Sequence, residues 1–277
     1  MGDLTVSRLA DNRFWLVGSY MLQKWHLRWF HDHLPKTGVR IDNLSESWLG
    51  FSLSGPESRN ILAALTNVDV SNSAIPFMSC QTMDVGVTQA VVARLSLTGE
   101  MGYEISVPAL QQRALWSALG TVGKQYGLRQ IGLRALDSLR FEKAYGSWST
   151  EFTQSYTPAM SGLDRFIAFD KEDFVGRDAV LRARESAPLQ RLVLLQIDAT
   201  DADAAGFEPV WAEGCRVGFV TSGGYGHHVG MSLALAYVDH EIIASNAELK
   251  VHVVGEERTA RILQEPPYDP AGAKIRS

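Results

Sequence analysis

The stretch LTGEMGYEISV places two carboxylates, Glu100 and Glu104, in a segment whose other residues are typical of a buried strand. Strand alternation puts Tyr103 and Ile105 on one face and Glu104 and Ser106 on the other. A buried carboxylate is costly unless it accepts hydrogen bonds. A planar pair of donors, such as the ring N–H and amino group of a 2-amino-4-oxopyrimidine, could satisfy both carboxylate oxygens at once, as arginine does.

Two simpler interpretations of Glu104 stay open at the level of sequence. The carboxylate could be exposed at the end of a strand, or it could pair with Arg94 or Arg140. Asp3, at the head of the first predicted strand, is a second acidic residue of interest. An aspartate there could equally cap the strand or face solvent.

Other catalytic patterns are absent from the sequence. It contains no GxSxG, P-loop or HExxH motif and no GxGxxG after a strand. The glycine-rich run SGGYGHHVG lacks the strand–loop–helix context that binds phosphate, so it predicts a β-turn. If this run were a strand, the adjacent His227 and His228 would point to opposite faces and could not chelate one metal ion.

Composition excludes several classes of protein. The 277 residues include 26 Lys and Arg against 31 Asp and Glu, a formal net charge of -5. No basic excess or Lys/Arg block favours nucleic acid or an anionic membrane, and no apolar run is long enough to span a bilayer. The N-terminus does not resemble a signal peptide. Cys80 and Cys215 lack metal-site spacing and are expected to be buried thiols. We therefore expect a cytoplasmic location, or the mitochondrial matrix in a eukaryote.

The elements needed to position these residues follow from local patterns. LTVSRL and RFWLVGS predict a hairpin, and LQKWHLRWFHDHL an amphipathic helix. VRIDNLS and WLGFSLSG predict strands, and ESRNILAAL a helix with Pro56 in its first turn. MDVGVTQAVVARLSLTGEMGYEISV predicts two or three strands. LQQRALWSALGTVGKQYG predicts a helix that Gly127 caps, and LRALDSLRFEKAYG another. This irregular alternation favours an α+β fold with mixed or antiparallel sheets.

From Pro188 onward the sequence shows short apolar runs separated by glycine-rich turns and no convincing helix. This pattern predicts a small all-β domain. RARESAPLQ is the best candidate for a linker. We therefore predict a region over 1–185, with an inserted α+β domain at about 48–130, followed by a C-terminal β-barrel domain over 190–277.

Five stretches, taken in order, resemble the aminomethyltransferase family. They are GDLTVSRLADNRFWLVGS, LTGEMGYEISV, GLRALDSLRFEKAYGSW, TPAMSGLDRFIAFDKEDFVGRDAV and VGFVTSGGYGHHVGMSLALAYV. The family includes the glycine cleavage T-protein and the folate-binding C-terminal region of dimethylglycine and sarcosine dehydrogenases. The third stretch resembles the latter branch more, because the glycine cleavage branch usually has Arg at the position of Leu136.

The resemblance implies a three-domain cloverleaf around a central tetrahydrofolate pocket. It also implies transfer of a one-carbon unit from an amine or iminium donor to N5 of the folate. Glu104 matches the glutamate that grips the pterin in the family, and Tyr103 beside it is assigned to folate binding. Asp3 matches an aspartate near the reacting nitrogen, where it would stabilise developing positive charge and act as the catalytic residue.

The sequence departs from the family pattern at three places. Leu97 stands where the dimethylglycine branch usually has Tyr against the folate. Arg165 lies near a position that is usually aromatic and could meet the folate's glutamate tail. Family members also carry a segment before the DLTV block that this sequence does not contain. It is expected to supply strands and part of the pocket wall, so Asp3 would lie at a frayed terminus.

These observations support three functional hypotheses. The first is a folate-dependent transferase that takes a one-carbon unit from an N-methylated amine such as dimethylglycine or sarcosine. The second is a non-catalytic folate-binding module, or a subunit that completes a flavin-dependent amine-demethylating complex. The sequence has no flavin fingerprint, so oxidation of the amine would occur elsewhere. The third is a truncated and inactive fragment.

Overall fold

The computed structural model describes residues 4–245 and 247–277. The described chain forms two compact units. One comprises residues 4–132 together with 271–277, and the other comprises residues 133–270. The predicted domain boundary at 185–190 stays a prediction. The two compact units of the structure meet along the chain between residues 132 and 133.

The first unit opens with the predicted hairpin. Strands β1 (Leu4–Ala10) and β2 (Arg13–Gly18) pair antiparallel, with Val6 opposite Leu16. Helix α1 (Gln23–His33) follows and confirms the predicted helix, although Trp29 is exposed and His26 is its buried residue.

The prediction of a strand over VRIDNLS is wrong, because residues 39–44 form neither helix nor strand. Two local polar interactions explain this. The Asn43 side chain accepts a hydrogen bond from the backbone N–H of Ser45, and Arg40 pairs with Asp42 at 2.8 Å. Asn and Asp are depleted in strands because their side chains compete for the backbone in this way.

A four-stranded antiparallel sheet is the centre of the first unit. Its strands, in the spatial order β3-β6-β5-β4, are β3 (Trp48–Ser54), β4 (Cys80–Val85), β5 (Thr88–Ala93) and β6 (Gly102–Pro108). Three strands therefore form within the stretch predicted to hold two or three. Helices α2 (Ser58–Ala63) and α3 (Gln112–Gly123) accompany the sheet, and Gly127, at φ +70°, ends the α3 region as predicted.

One face of this sheet forms the unit's core. Strand residues and both helices contribute buried apolar side chains, among them Leu53, Ile61, Leu62, Val92, Tyr103, Ile105, Val107 and Leu115. Alternation along β6 therefore sends Tyr103, Ile105 and Val107 into the core. Glu104 and Ser106 must lie on the opposite face.

The second unit contains the predicted barrel. It begins with helices α4 (Leu133–Glu142), α5 (Pro158–Ser161) and α6 (Arg177–Arg184). Six strands then close in the order β10-β7-β12-β11-β8-β9. They are β7 (Gln190–Ile197), β8 (Pro209–Ala212), β9 (Cys215–Gly226), β10 (Met231–Asp239), β11 (Leu249–Val253) and β12 (Glu256–Leu263). Every strand pair in the described residues is antiparallel.

Four short helices were not predicted from the sequence, α5 and α6 among them. Helix α7 (His240–Ser245) follows β10, and helix α8 (Ala273–Arg276) belongs to the first unit. No helix in the described ranges is long and apolar enough to cross a membrane.

The glycine-rich run SGGYGHHVG is only partly the predicted turn. Its first half belongs to β9, and His227 and His228 lie in the turn that follows. Gly223 lies within the strand. The position requires glycine because a Cβ there would lie 2.6 Å from the backbone oxygen of Ala204. Close backbone packing therefore explains a glycine that looked like a turn residue.

Candidate functional site

Glu104 lies on the sheet face opposite the core, in a row that crosses all four strands. Strand register places Ser52 of β3, Glu104 of β6, Ala93 of β5 and Cys80 of β4 side by side. The neighbours of Glu104 in this row are thus a serine and an alanine, and Glu104 itself is partly buried.

The adjacent row on the same face of the sheet contains Gly50, Ser106 and Val91. Gly50 pairs with Ser106, and Ser106 pairs with Val91. Gly50 and Ser52 are exposed, whereas Glu104 and Ser106 are partly buried. The side chains nearest to the recessed Glu104 carboxylate along the two rows are thus mostly small, with the buried Val91 as the exception.

The Glu104 carboxylate has no ion pair or hydrogen bond with any residue that the structure describes. Burial raises its pKa, because desolvation disfavours the charged form. An unsatisfied, recessed acceptor with two oxygens is suited to a ligand that presents two parallel N–H donors.

Both alternative pairings of Glu104 are wrong. Arg94 donates to the backbone oxygens of Ile75 and Ser277, at 2.8 and 2.5 Å. Arg140 belongs to the second unit, where its Nε donates to Asp137 at 2.7 Å. Glu104 is also not fully exposed at a strand end, because it lies in the third position of β6 and is partly buried.

The hairpin of β1 and β2 borders the Glu104 face at two corners. The side chain of Ser7 lies beside the thiol of Cys80, and the Trp15 ring meets the Trp48 ring edge-on with centroids 5.0 Å apart. Burial raises the pKa of Cys80, so this residue is a neutral thiol near pH 7. Cys215 is exposed, which corrects the expectation that both thiols are buried.

The other two residues assigned to folate in this unit lie in different surroundings. Tyr103 is completely buried in the core, on the far side of the sheet from Glu104. Leu97 lies between β5 and β6 and is 42% exposed. Of the neighbouring pair Tyr103 and Glu104, only Glu104 is therefore positioned to meet a ligand on the open face, and Leu97 is accessible to one.

Arg165 belongs to the second unit, in a 3-10 helical turn over Asp164–Phe166. It is exposed, and its guanidinium lies 4.9 Å from the centre of the Phe166 ring. Asp3 lies outside the described residues. The assignments of Asp3 and Arg165 stay predictions.

A second buried carboxylate, Glu151, escaped the sequence analysis. Its side chain is fully buried in the second unit. It accepts hydrogen bonds from Ser222 Oγ at 2.6 Å, the backbone N–H of Ser147 at 2.7 Å and Thr150 Oγ1 at 2.5 Å. Arg140 lies 3.6 Å away. All these donors belong to the protein, so Glu151 has a structural role, and its partner Ser222 lies too far along the chain for a sequence pattern to reveal.

Comparison with known proteins decides the family. A family model described as the GCVT N-terminal domain matches residues 1–171, and one described as the glycine cleavage T-protein C-terminal barrel domain matches residues 190–269. This chain belongs to the glycine cleavage T-protein family. The resemblance inferred from five sequence stretches is thereby confirmed.

Individual relatives represent both branches of that resemblance. Mitochondrial dimethylglycine dehydrogenase of Homo sapiens is 31% identical over 95% of this chain, which spans 31% of that relative. The aminomethyltransferase of Desulforamulus reducens is 32% identical over 96% of the chain and 72% of the relative. The chain thus spans about a third of the length of dimethylglycine dehydrogenase.

A solved structure confirms the fold class. The crystal structure of glycine cleavage system aminomethyltransferase T from Bartonella henselae matches with a TM-score of 0.87, at 24% identity. The match covers 98% of this chain and 73% of that one. Helices with antiparallel sheets and a closed six-stranded barrel are therefore the family architecture, as the α+β prediction stated.

Proposed function

We propose that this chain is a tetrahydrofolate-dependent transferase that takes a one-carbon unit from an N-methylated amine such as dimethylglycine or sarcosine. The observation that carries the proposal is the unpaired, recessed carboxylate of Glu104 on an open face of small residues. Membership of the glycine cleavage T-protein family supports it.

Glu104 would hold the pterin by accepting two hydrogen bonds, one from a ring N–H and one from the 2-amino group. Ser52 and Ala93 beside it are small enough to leave room for the ring edge. Leu97 offers an exposed apolar side chain that could lie against the folate. These three features fit a flat, amino-substituted heterocycle better than a flexible or purely anionic ligand.

The remaining assignments concern charge. Bound tetrahydrofolate would supply the nucleophilic nitrogen that receives the one-carbon unit. Asp3 would stabilise the positive charge that develops on the donor and orient the folate nitrogens. Arg165, whose guanidinium is exposed, would meet carboxylates of the folate tail. Each role is testable by substitution.

Calorimetric titration with tetrahydrofolate tests the proposal. Replacing Glu104 with Gln keeps the shape but removes the charge and one of the two acceptors. A charge-assisted hydrogen bond contributes about 1.5–3 kcal/mol, so we expect Glu104→Gln to weaken binding roughly 10- to 100-fold. Asp84→Asn is the matched control, because Asp84 is an exposed carboxylate on the same face of β4. Equal affinities for Glu104→Gln and the unchanged chain, or no binding by the unchanged chain, would contradict the proposal.

A second candidate is a folate-binding module without activity of its own, or a subunit that completes a flavin-dependent amine-demethylating complex. The observation in its favour is that the chain spans about a third of dimethylglycine dehydrogenase. Oxidation of an N-methyl group to the iminium level needs a two-electron oxidant, so the distinguishing test supplies the one-carbon unit already oxidised, as formaldehyde, together with tetrahydrofolate. Methylene-tetrahydrofolate formed faster with the chain alone than without it would favour the first candidate. Turnover only when a flavin-dependent amine oxidase is added would favour the second candidate. The mitochondrial relatives support a matrix location if the source is a eukaryote.

A further inference from the structure

The hairpin of β1 and β2 has one covered face and one exposed face. Trp15 contacts Trp48 of the four-stranded sheet, so the hairpin face that carries Trp15 lies towards that sheet. On the other face, Val6 lies opposite Leu16, and Phe14 lies two residues before Leu16 in the same strand. These three apolar side chains, which we call the hairpin patch, are 60%, 42% and 54% exposed in that order. A contiguous exposed apolar patch is unfavourable in water and is typical of a surface that associates with another molecule.

Helix α1 borders the hairpin patch at one end. Gly18 lies two residues after Leu16, on the same face of the hairpin. A Cβ on Gly18 would lie 3.5 Å from the ring of His26, which belongs to α1. Lys24 and Arg28 are exposed on this helix, four residues apart and therefore side by side. Positively charged side chains thus stand next to the apolar patch.

The positive charge around the patch is not neutralised locally. Residues 4–40 contain six Lys and Arg against two Asp and no Glu. Arg13 of β2 is exposed, like Lys24 and Arg28, and none of the three forms an ion pair with a residue that the structure describes. An apolar centre with a charged border is the usual composition of a protein–protein interface, and a positive border favours an acidic partner.

The second unit carries a stretch with the opposite charge and one projecting aromatic ring. Residues 198–213, which we call the acidic segment, contain five Asp and Glu and no Lys or Arg. Asp198, Asp203 and Glu213 are exposed, and they form no ion pair within residues 4–245 and 247–277. Phe207, in the same segment, is 86% exposed. The acidic segment therefore matches the hairpin patch in charge and in apolar character.

The backbone fixes Phe207 in this exposed position. Its φ is +73°, in the left-handed region that a bulky side chain rarely adopts. The N–H of Phe207 donates to the backbone oxygen of Val220 at 2.7 Å, and the N–H of Gly206 donates to the Glu208 carboxylate at 2.8 Å. A strained backbone that directs an aromatic ring into solvent contributes little to the packing of its own chain. It points to a contact outside the chain.

We propose that this chain associates with a second copy of itself, and that Phe207 of one copy packs on the hairpin patch of the other. The acidic segment around Phe207 then faces the positive border of the patch. Burial of the aromatic ring supplies affinity, because a few well-packed aromatic anchors dominate most interfaces. The opposite charges guide the approach of the two copies and set their orientation. This association does not depend on the proposed function.

Sedimentation velocity over a concentration series tests the proposal on the full chain. We expect the unchanged chain to associate, and to do so more weakly at high salt because salt screens exposed charges. Lys24→Glu combined with Arg28→Glu should weaken association about 10-fold or more, and so should Asp198→Lys combined with Asp203→Lys. An equimolar mixture of these two double variants should associate again, because each reversed surface then meets one of opposite charge.

Phe207→Gly separates association from folding. Glycine adopts a φ of +73° without strain, so we expect Tm to rise or to stay within about 2 °C of that of the unchanged chain. Association should nevertheless weaken about 30-fold, because the anchoring ring is lost. A residue with only a structural role would not change the two measurements in this way.

Arg113→Glu combined with Lys124→Glu is the matched control. Both residues are exposed in the first unit, outside the hairpin and α1, and the change in charge equals that of the α1 double variant. This control should associate like the unchanged chain. Monomeric behaviour of the unchanged chain up to about 100 μM would overturn the proposal and leave the hairpin patch to a different partner. Undiminished association of Phe207→Gly, or no association in the mixture of reversed variants, would overturn it as well.

Discussion

At the scale of the residue, the decisive feature is a carboxylate that the protein leaves unsatisfied. Glu104 and Glu151 are both carboxylates in recessed positions, but Glu151 accepts three hydrogen bonds from its own chain and Glu104 accepts none within the described residues. An unsatisfied acceptor costs stability, so its presence on an accessible face points to a ligand.

This cost predicts a dependence of stability on pH. Because the pKa of Glu104 is raised in the folded protein, the folded state binds its proton more tightly than the unfolded state. Its unfavourable contribution is therefore absent below the unfolded pKa and grows as pH rises through the folded pKa. We expect Glu104→Gln to raise Tm relative to the unchanged chain at pH 8 and to leave it nearly unchanged at pH 4. Thermal melts at both pH values, with the effect of Asp84→Asn subtracted, measure this. A Glu104→Gln chain that is less stable at pH 8 would contradict it.

At the scale of the element, local patterns predicted the first four helices and most strands, and side-chain chemistry explains two of the failures. The hairpin, α1, α3 and four of the six barrel strands follow from periodicity and from turn and cap residues. The segment at 39–44 fails because Asp42 and Asn43 bind locally. The turn predicted around Gly223 is partly wrong because this glycine lies inside β9, where it allows close backbone packing. Secondary-structure propensity describes the backbone preference of one residue. The conformations at 39–44 and at Gly223 depend instead on the other groups that each residue contacts.

Hydrogen bonds of Glu151 hold the segment around this residue to the barrel. Its carboxylate accepts from Ser222 of β9, and its backbone oxygen accepts from the Tyr237 hydroxyl of β10 at 2.7 Å. Glu151→Ala would leave the Ser222 and Thr150 hydroxyls without this acceptor and would remove the buried carboxylate that lies 3.6 Å from Arg140. We expect it to lower the free energy of unfolding by about 3 kcal/mol. Urea denaturation measures the loss, with Glu185→Ala, an exposed residue after α6, as the control expected to change little. Equal midpoints for the two variants would contradict the role assigned to Glu151.

At the scale of the whole molecule, binding of a ligand to the folded chain alone must raise its stability. At a concentration of tetrahydrofolate about 100 times Kd, the free energy of unfolding should rise by about 2.7 kcal/mol. We therefore expect Tm to increase with ligand in the unchanged chain and in Asp84→Asn, and to increase much less in Glu104→Gln. A thermal shift series with oxidised folate and tetrahydrofolate measures this. An equal shift in all three chains would place the ligand away from Glu104.

The sequence alone determined the class of elements, the family, and the face of β6 on which Glu104 lies, since each depends on neighbouring residues or on motifs in order. Only the tertiary structure decided what the charged groups bind. Arg94 binds Ser277, 183 residues away, and Ser222 binds Glu151 across 71 residues. Partners so far apart in the chain leave no local pattern, because their distance is set by how the sheets close and pack. Whether a carboxylate is paired or open to a ligand is therefore a property of the fold.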